Sequence, residues 1–252
     1  MIALTHVPSP NMQSCERTFV PQAAIDFARA RAQHAAYCQA LRDCRAKVVT
    51  LNVNEPLADA TFIEDTAIVL DEVAVLCSMG AASRRGEPAR IEPVLREYRE
   101  IARIEPPATI EGGDVLRVGR TFLVGQSCRT NAAGIKLLTA LGSRYGYQVT
   151  PIPVRGCLHL KTACTALADG RLLVNPAWID ATALAGYELV SVPEAEPWGA
   201  NVALVRSKVL LAAAHVQTAE LIDGLGFTVQ AIELSEFAKA EGGVTCLSLL
   251  IS

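Results

Sequence analysis

Gly242-Gly-Val-Thr-Cys246-Leu-Ser-Leu-Leu-Ile-Ser252 closes the sequence: two adjacent glycines, then an apolar run. Glycine frees the backbone from the usual φ limits and lets other atoms approach it closely. The run that follows reads as a short buried strand with the Cys246 thiol near its head. Taken singly, such a cysteine is a core residue, because free cysteines are among the most buried side chains. Its meaning depends on what the strand pairs with.

Working back from that strand, one order recurs: strand, strand, helix, strand. Residues 66–70 and 73–77 form a hairpin around Asp71-Glu72, followed by a helix over 88–100 and a strand at 101–104. Residues 114–124 turn at Gly119, and a helix over 131–145 leads to a strand at 148–152. Residues 163–167 and 171–174 flank Asp169-Gly170, a strong hairpin signal. A shorter helical stretch and a strand at 187–192 complete that unit. Residues 201–205 and 209–213, a helix over 216–225 ended by Gly226 and a strand at 228–234 make the fourth. The N-terminus offers a strand at 2–7, a Pro-bearing loop at 8–20, a helix from Pro21 and a strand at 47–51. It lacks only a first strand, and the run holding Cys246 supplies one.

The units start roughly 40–50 residues apart, the spacing of a repeat architecture. Splitting the fifth unit between the two termini closes a ring. The expectation is a single α/β domain over residues 1–252, a five-bladed propeller with each first strand lining the axis. Residues at the heads of those strands then meet at one end: Glu64, Asp65, Glu111 to Asp114, His159, Asn201 and Cys246.

Composition narrows the function. The chain has 252 residues, 51% hydrophobic and 19% charged, with a net charge of −3, so a large core is affordable. There is no basic footprint for nucleic acid and no basic amphipathic helix for a membrane surface. Runs such as 209–214 are far shorter than the ~20 residues a spanning helix needs. Met1 to His6 carries no charged leader or long apolar segment, so the expected location is cytoplasmic, with the eight cysteines reduced. Cys157, His159 and Cys164 lie close in sequence, but no CxxC pair exists, and no metal site is expected.

The convergence gives Cys246 a context. A nucleophilic thiol, an imidazole and a carboxylate from three different units, Cys246, His159 and Glu111, fit the logic of nucleophile, base and orienting acid. Glu64 and Asp65, set among apolar Phe62, Ile63, Ala67 and Ile68, add negative charge that is costly to bury without a compensating cation. A planar guanidinium satisfies carboxylates through paired, charge-assisted bonds. Arg84 and Arg129 each follow a strand and precede a helix, and arginine suits bidentate carboxylate binding. Carboxylates at the floor of a pocket and arginines at its mouth would fit an amino acid with a guanidine side chain.

Six segments carry a resemblance: Thr61-Phe-Ile-Glu-Asp65, Gly80-Ala-Ala-Ser-Arg-Arg-Gly-Glu87, Ile110-Glu-Gly-Gly-Asp114, Gly125-Gln-Ser-Cys-Arg-Thr-Asn131, Cys157-Leu-His-Leu-Lys161 and Gly242-Gly-Val-Thr-Cys246. In this order the chain resembles the bacterial dimethylargininases of the guanidino-modifying, or pentein, superfamily. The resemblance implies a five-bladed propeller and a cofactor-free hydrolase converting Nω-methylated arginines to citrulline and a methylamine. It implies Cys246 as nucleophile, His159 as acid and base, and Glu111 as its partner. Glu64 and Asp65 would lie at the guanidinium, with Asp59 and Phe62 nearby, Arg84 and Arg129 at the α-carboxylate, and Ala240 giving backbone contacts. The expected partner is a small guanidino molecule, with a homodimer left open.

Two stretches depart from the family. A Thr-Arg-Pro-Gly-Ala-Glu run is replaced by Cys77-Ser-Met-Gly-Ala-Ala82, and loop 8–20 has no close counterpart to the family's lid. Rival readings are an amidinotransferase, a hydrolase of another guanidine, and a non-catalytic binding pentein. An arginine deiminase would carry an inserted helical domain for which this chain has no room.

Overall fold

The structure is a computed structural model that describes residues 1–168 and 170–252. Its strands form five separate three-stranded sheets. The first to appear combines β1 (Ile2–His6) and β2 (Lys47–Leu51), joined through α1 (Phe27–Asp43). The next holds β3 (Ala67–Val69), β4 (Val73–Leu76), α2 (Glu87–Leu95) and β5 (Glu100–Arg103). The third holds β6 (Val115–Val118), β7 (Thr121–Gln126), α3 (Ala132–Ser143) and β8 (Gln148–Pro153). The fourth opens with the single-turn α4 (Leu160–Ala163), then β9 (Cys164–Ala166), β10 (Arg171–Val174) and β11 (Glu188–Ser191). The fifth holds β12 (Ala203–Val205), β13 (Lys208–Ala212), α5 (Val216–Gly224) and β14 (Thr228–Ile232). After the short α6 (Ser235–Ala238), β15 (Leu249–Ile251) returns to the first sheet.

In every sheet the first two strands pair antiparallel and the last two parallel, as a tight turn and then a crossover require. The N-terminal blade obeys the same rule only because β15 pairs antiparallel with β1, Ile2 opposite Ile251 and Leu4 opposite Leu249. Burial locks this closure. Leu4, Ile63, Ala74, Leu76, Ile91, Leu95, Leu249 and Ile251 form one apolar cluster spanning the terminal blade and the next. Each large side chain buried there contributes about 1.5–3 kcal/mol. The inner strands are neighbours around the axis: β15 touches β3, β6 touches β9, and β9 touches β12. No helix among the described residues is long and apolar enough to cross a membrane.

Three expectations are corrected. The first helix starts at Phe27 rather than Pro21, capped by Asp26, whose side chain accepts the Arg29 N–H at 3.0 Å. The residues before it give their N–H groups to side chains instead, Ile25 to Gln13 and Asp26 to Glu236. The short helical crossover expected in the fourth sheet is present as a 3-10 helix, Ala181–Leu184. Cys246 is not on the last strand; it lies in a turn over 244–247, and β15 begins at Leu249. His159 is likewise not at a strand edge but immediately before α4. Asp169, half of the expected hairpin turn, lies outside the described residues.

Candidate active site

The inner strands β3, β6 and β9 are each entered through one tight helical turn: Ile63–Thr66, Gly112–Asp114 and α4. With the turn over 244–247 they crowd one end of the axis. Glycine permits the crowding. A Cβ on Gly113 would lie 2.6 Å from His159 Nδ1 and 2.7 Å from Asp65 Oδ1, and one on Gly242 would lie 2.3 Å from the Phe62 ring. The Gly242-Gly243 pair is therefore needed for close approach, and the left-handed φ of that turn falls on Glu241 at 60° instead.

His159 Nε2 lies 2.8 Å from Glu111 Oε2, and its Nδ1 lies 3.8 Å from Asp65 Oδ1. Glu111 is fully buried; Gly80 N–H donates to its Oε1 at 2.9 Å. Asp114 holds the other flank, accepting the Leu160 N–H at 2.9 Å and the Ser127 hydroxyl at 2.6 Å. Burial by itself would drive the proton off His159, but the Asp65 charge and the Glu111 bond outweigh it and lift the imidazole to about 9. In turn, burial would favour the acid forms of Asp65 and Glu111, and the nearby cations His159 and Arg84 hold both below the usual range.

The Cys246 Sγ receives the Gly243 N–H at 3.4 Å. Burial and the charges of Glu64 and Asp65 push the thiol up to about 12. The free protein thus keeps a neutral thiol at the cavity that the imidazolium also lines, and a cation placed next to sulfur favours release of the thiol proton.

A small cavity of about 20 Å³ joins these groups: Glu16, Asp59, Phe62, Asp65, Arg84, Arg129, Leu158, His159, Ala240, Glu241, Gly242 and Cys246 line it. Of the residues expected from sequence, Asp59, Phe62, Asp65, Arg84, Arg129, His159, Ala240 and Cys246 are there, with Glu111 behind His159. Glu64 is not. It faces a larger cavity of about 600 Å³ on the other side of these turns, where Lys161 and Thr245 bond to its two oxygens. Size does not identify the site here, because the larger cavity contains neither the thiol nor the imidazole. Arg84 borders the small cavity, yet it is 3% exposed and spends its donors on Asp65 at 2.7 Å, Glu87 and the Phe62 carbonyl. Arg129 differs: its Nη1 is buried, has no hydrogen-bond partner among the described residues and stands 3.6 Å from Glu111 Oε1.

Sequence reading missed Glu16, Leu158 and Glu241. Glu241 takes the N–H groups of Thr18, at 2.6 Å, and Phe19 on its carboxylate, and Asp59 takes the Glu16 N–H, so the loop over residues 12–20 is fastened across the cavity. Glu87, three residues after Arg84, was readable as an ion-pair partner. Asp65, Glu111 and His159 present ligand atoms within 4.8 Å of one another, the reach of a single ion, but each is already bonded within the protein.

Five blades with a cysteine, a histidine and a glutamate gathered at one end of the axis define a guanidino-modifying pentein. A family model described as "N,N dimethylarginine dimethylhydrolase, eukaryotic" matches residues 12–182. The N(G),N(G)-dimethylarginine dimethylaminohydrolase of Streptomyces coelicolor is 37% identical, over 98% of this chain and 95% of that protein. Its Pseudomonas aeruginosa counterpart is 34% identical, over 89% of each chain. A solved structure of the Pseudomonas aeruginosa enzyme, a cysteine-to-serine mutant complexed with citrulline, superposes with a TM-score of 0.91 at 31% identity, covering 98% of this chain and 97% of that one. The chain belongs to the dimethylargininase family, hydrolases of carbon–nitrogen bonds.

Proposed function

We propose that this protein hydrolyses Nω-methylated L-arginine to L-citrulline and a methylamine through a covalent cysteine intermediate. The observation that carries the reading is the shared cavity of Cys246 and His159, with Glu111 behind the imidazole and the unpartnered Arg129 Nη1 at the wall. An arginine-type substrate supplies what these groups lack. Its carboxylate gives Arg129 Nη1 an acceptor, and its guanidinium puts positive charge beside Cys246.

That charge lowers the thiol from about 12, so its proton passes to solvent and the thiolate attacks the guanidinium carbon. The His159 imidazolium donates its proton to the departing methylamine nitrogen as the C–N bond breaks. An S-alkylthiouronium remains on Cys246. The imidazole, now neutral, takes a proton from water; the resulting oxygen nucleophile attacks the same carbon, sulfur leaves, and the ureido product forms. Glu111 and Asp65 stabilise the imidazolium at both ends of the cycle. A solved structure of a dimethylarginine dimethylaminohydrolase with a histidine-to-glycine change is an adduct with S-methyl-L-thiocitrulline, which is in keeping with an adduct-forming reaction.

The test is incubation of the purified protein with L-arginine, its monomethyl and asymmetric dimethyl forms and simple alkylguanidines, with ureido product and released amine both measured. Stoichiometric citrulline and methylamine from the methylated arginines are expected. Ureido product from alkylguanidines alone, or none from any guanidine, would refute the reading. Release of the methylamine only when an amine acceptor is added, with no ureido product, would mark an amidinotransferase.

A further inference from the structure

Attack by Cys246 requires its thiol proton to leave, and the groups around the sulfur narrow where it can go. His159 already carries a proton at neutral pH, so it is no acceptor. Two polar groups stand within bonding reach of Sγ among the described residues: the Gly243 N–H, a donor only, and the Thr245 hydroxyl at 4.0 Å. A hydroxyl has one proton to give and two lone pairs to receive. Thr245 Oγ1 gives its proton to Glu64 Oε2 at 2.9 Å and receives the Asn201 side-chain N–H at 3.0 Å. One lone pair is left, and the thiol is the neighbour that can fill it.

Behind Thr245 the groups lead away from the catalytic cavity. Glu64 and Lys161 are ion-paired, with side chains 10% and 15% exposed, and with Thr245 they line the larger cavity of about 600 Å³. Cys246 lines the small cavity and not the larger. Thr245 and Cys246 are thus consecutive residues facing opposite sides of one wall. The Glu64 N–H donates to the Cys246 carbonyl at 3.2 Å, which fixes the two turns of that wall against each other. Burial outweighs Lys161 and pushes the Glu64 carboxyl above its usual range, so a proton can rest on it in passing.

We propose that Thr245 and Glu64 carry the thiol proton of Cys246 out of the site to water in the larger cavity, on the side of the turns away from the substrate. This rests on the reading of Cys246 as the nucleophile. The S–H bond breaks as Thr245 Oγ1 takes its proton, the hydroxyl's own proton passes to Glu64 Oε2, and Glu64 releases it to water. Both residues end as they began, and sulfur is left as the thiolate. A substrate can then fill the catalytic cavity without trapping the proton.

Single-turnover release of methylamine from Nω-methyl-L-arginine reads the attack. Thr245→Val keeps the shape and removes the hydroxyl, so release should slow about tenfold or more while the steady-state KM changes by less than about threefold. Its solvent deuterium isotope effect should exceed that of the wild type, because proton loss becomes limiting. Thr245→Ser returns the hydroxyl and should recover release to within about threefold of the wild type. Glu64→Gln cannot take a proton and should slow release as Thr245→Val does. Undiminished release in Thr245→Val, or equal loss in Thr245→Val and Thr245→Ser, overturns the proposal. A slowing with an unchanged isotope effect marks a packing role and overturns it too.

A second measurement needs no turnover and so separates the route from the hydrolase reading. The infrared S–H band of Cys246, identified by its absence from Cys246→Ser, fades in heavy water as the thiol proton exchanges. Exchange slowed about tenfold or more in Thr245→Val and restored in Thr245→Ser upholds the route even if no guanidine is hydrolysed. Equal exchange in the wild type and both variants overturns it even in an active hydrolase.

Discussion

His159 Nε2 and Glu111 Oε2 meet at 2.8 Å with both side chains buried, and Gly113 leaves open the space in which the imidazole also comes near Asp65. Two carboxylates flank one ring, so the ring holds its proton at neutral pH. The thiol of Cys246, buried and under the charges of Glu64 and Asp65, holds its proton as well.

Stability should therefore fall as the solution becomes alkaline. His159 is lifted from 6.5 to about 9, so its contribution is complete below about pH 6.5 and is lost as pH rises through 9. The whole of it is on the order of 3 kcal/mol. Cys246, lifted from 9.0 to about 12, adds a second loss above pH 9. Thermal melts at half-unit steps should show Tm falling between pH 6.5 and 9, and His159→Gln should flatten that stretch. A variant with the wild-type slope would assign the proton elsewhere.

Cys246→Ser should lower turnover at least about a thousandfold, since a serine hydroxyl is far less ionised than a thiol in the same place. Its melting temperature should stay near that of the wild type, because oxygen can still accept the Gly243 N–H. Wild-type turnover in the pure variant would remove Cys246 as nucleophile.

Gly113→Ala tests the packing of the site without touching a charged group. The new methyl would press on His159 Nδ1 and Asp65 Oδ1 at 2.6 and 2.7 Å. Neither can withdraw, because one is held by Glu111 and the other by Arg84. Overpacking of this kind costs about 1–3 kcal/mol, and kcat should fall by more than about tenfold as the imidazole is displaced. Undiminished kcat would mean that the imidazole position is not critical.

Asp65→Asn should cost stability as well as activity. The pair with Arg84 is buried at 2.7 Å, and breaking a buried pair typically costs about 3–5 kcal/mol. Glu87 still faces Arg84, which places the expected loss at the lower end of that range. Urea denaturation reads it directly; a change below about 1 kcal/mol would show that Glu87 alone compensates Arg84.

Glu241→Ala should loosen the loop over the cavity. The Thr18 and Phe19 N–H groups lose their acceptor, so their hydrogen exchange should quicken by about tenfold or more. Exchange followed by mass spectrometry on peptides spanning residues 16–20 reads this, and unchanged protection would place the fastening of the loop elsewhere.

The repeat was legible because each blade is written locally: hairpin signals such as Gly119, alternating or continuous apolar strands and a helical crossover recur at a fixed spacing. Closure of the ring was legible too, since the N-terminal unit lacked a first strand and the C-terminal run supplied one. From that closure alone Cys246, His159, Glu111 and Asp65 could be brought to one end of the axis, because register in a repeat carries position from blade to blade. The chain by itself did not show that the candidate site residues stand on the turns ahead of the inner strands, since one-turn helices have too few residues to leave a periodic signal.

Only the tertiary structure decided how the charges are shared. Glu64 and Asp65 are adjacent in sequence, yet their side chains diverge, one to Lys161 and the larger cavity, the other to Arg84 and the site. Arg84 and Arg129 occupy matching places in their blades, yet the first is satisfied by Asp65 and Glu87 while the second keeps a buried Nη1 without an acceptor. The bonds of Glu241 depend on loop 12–20 meeting a turn more than two hundred residues away. Pairings of that kind are fixed by which groups remain unsatisfied after the backbone has folded, and no local pattern in the sequence encodes that balance.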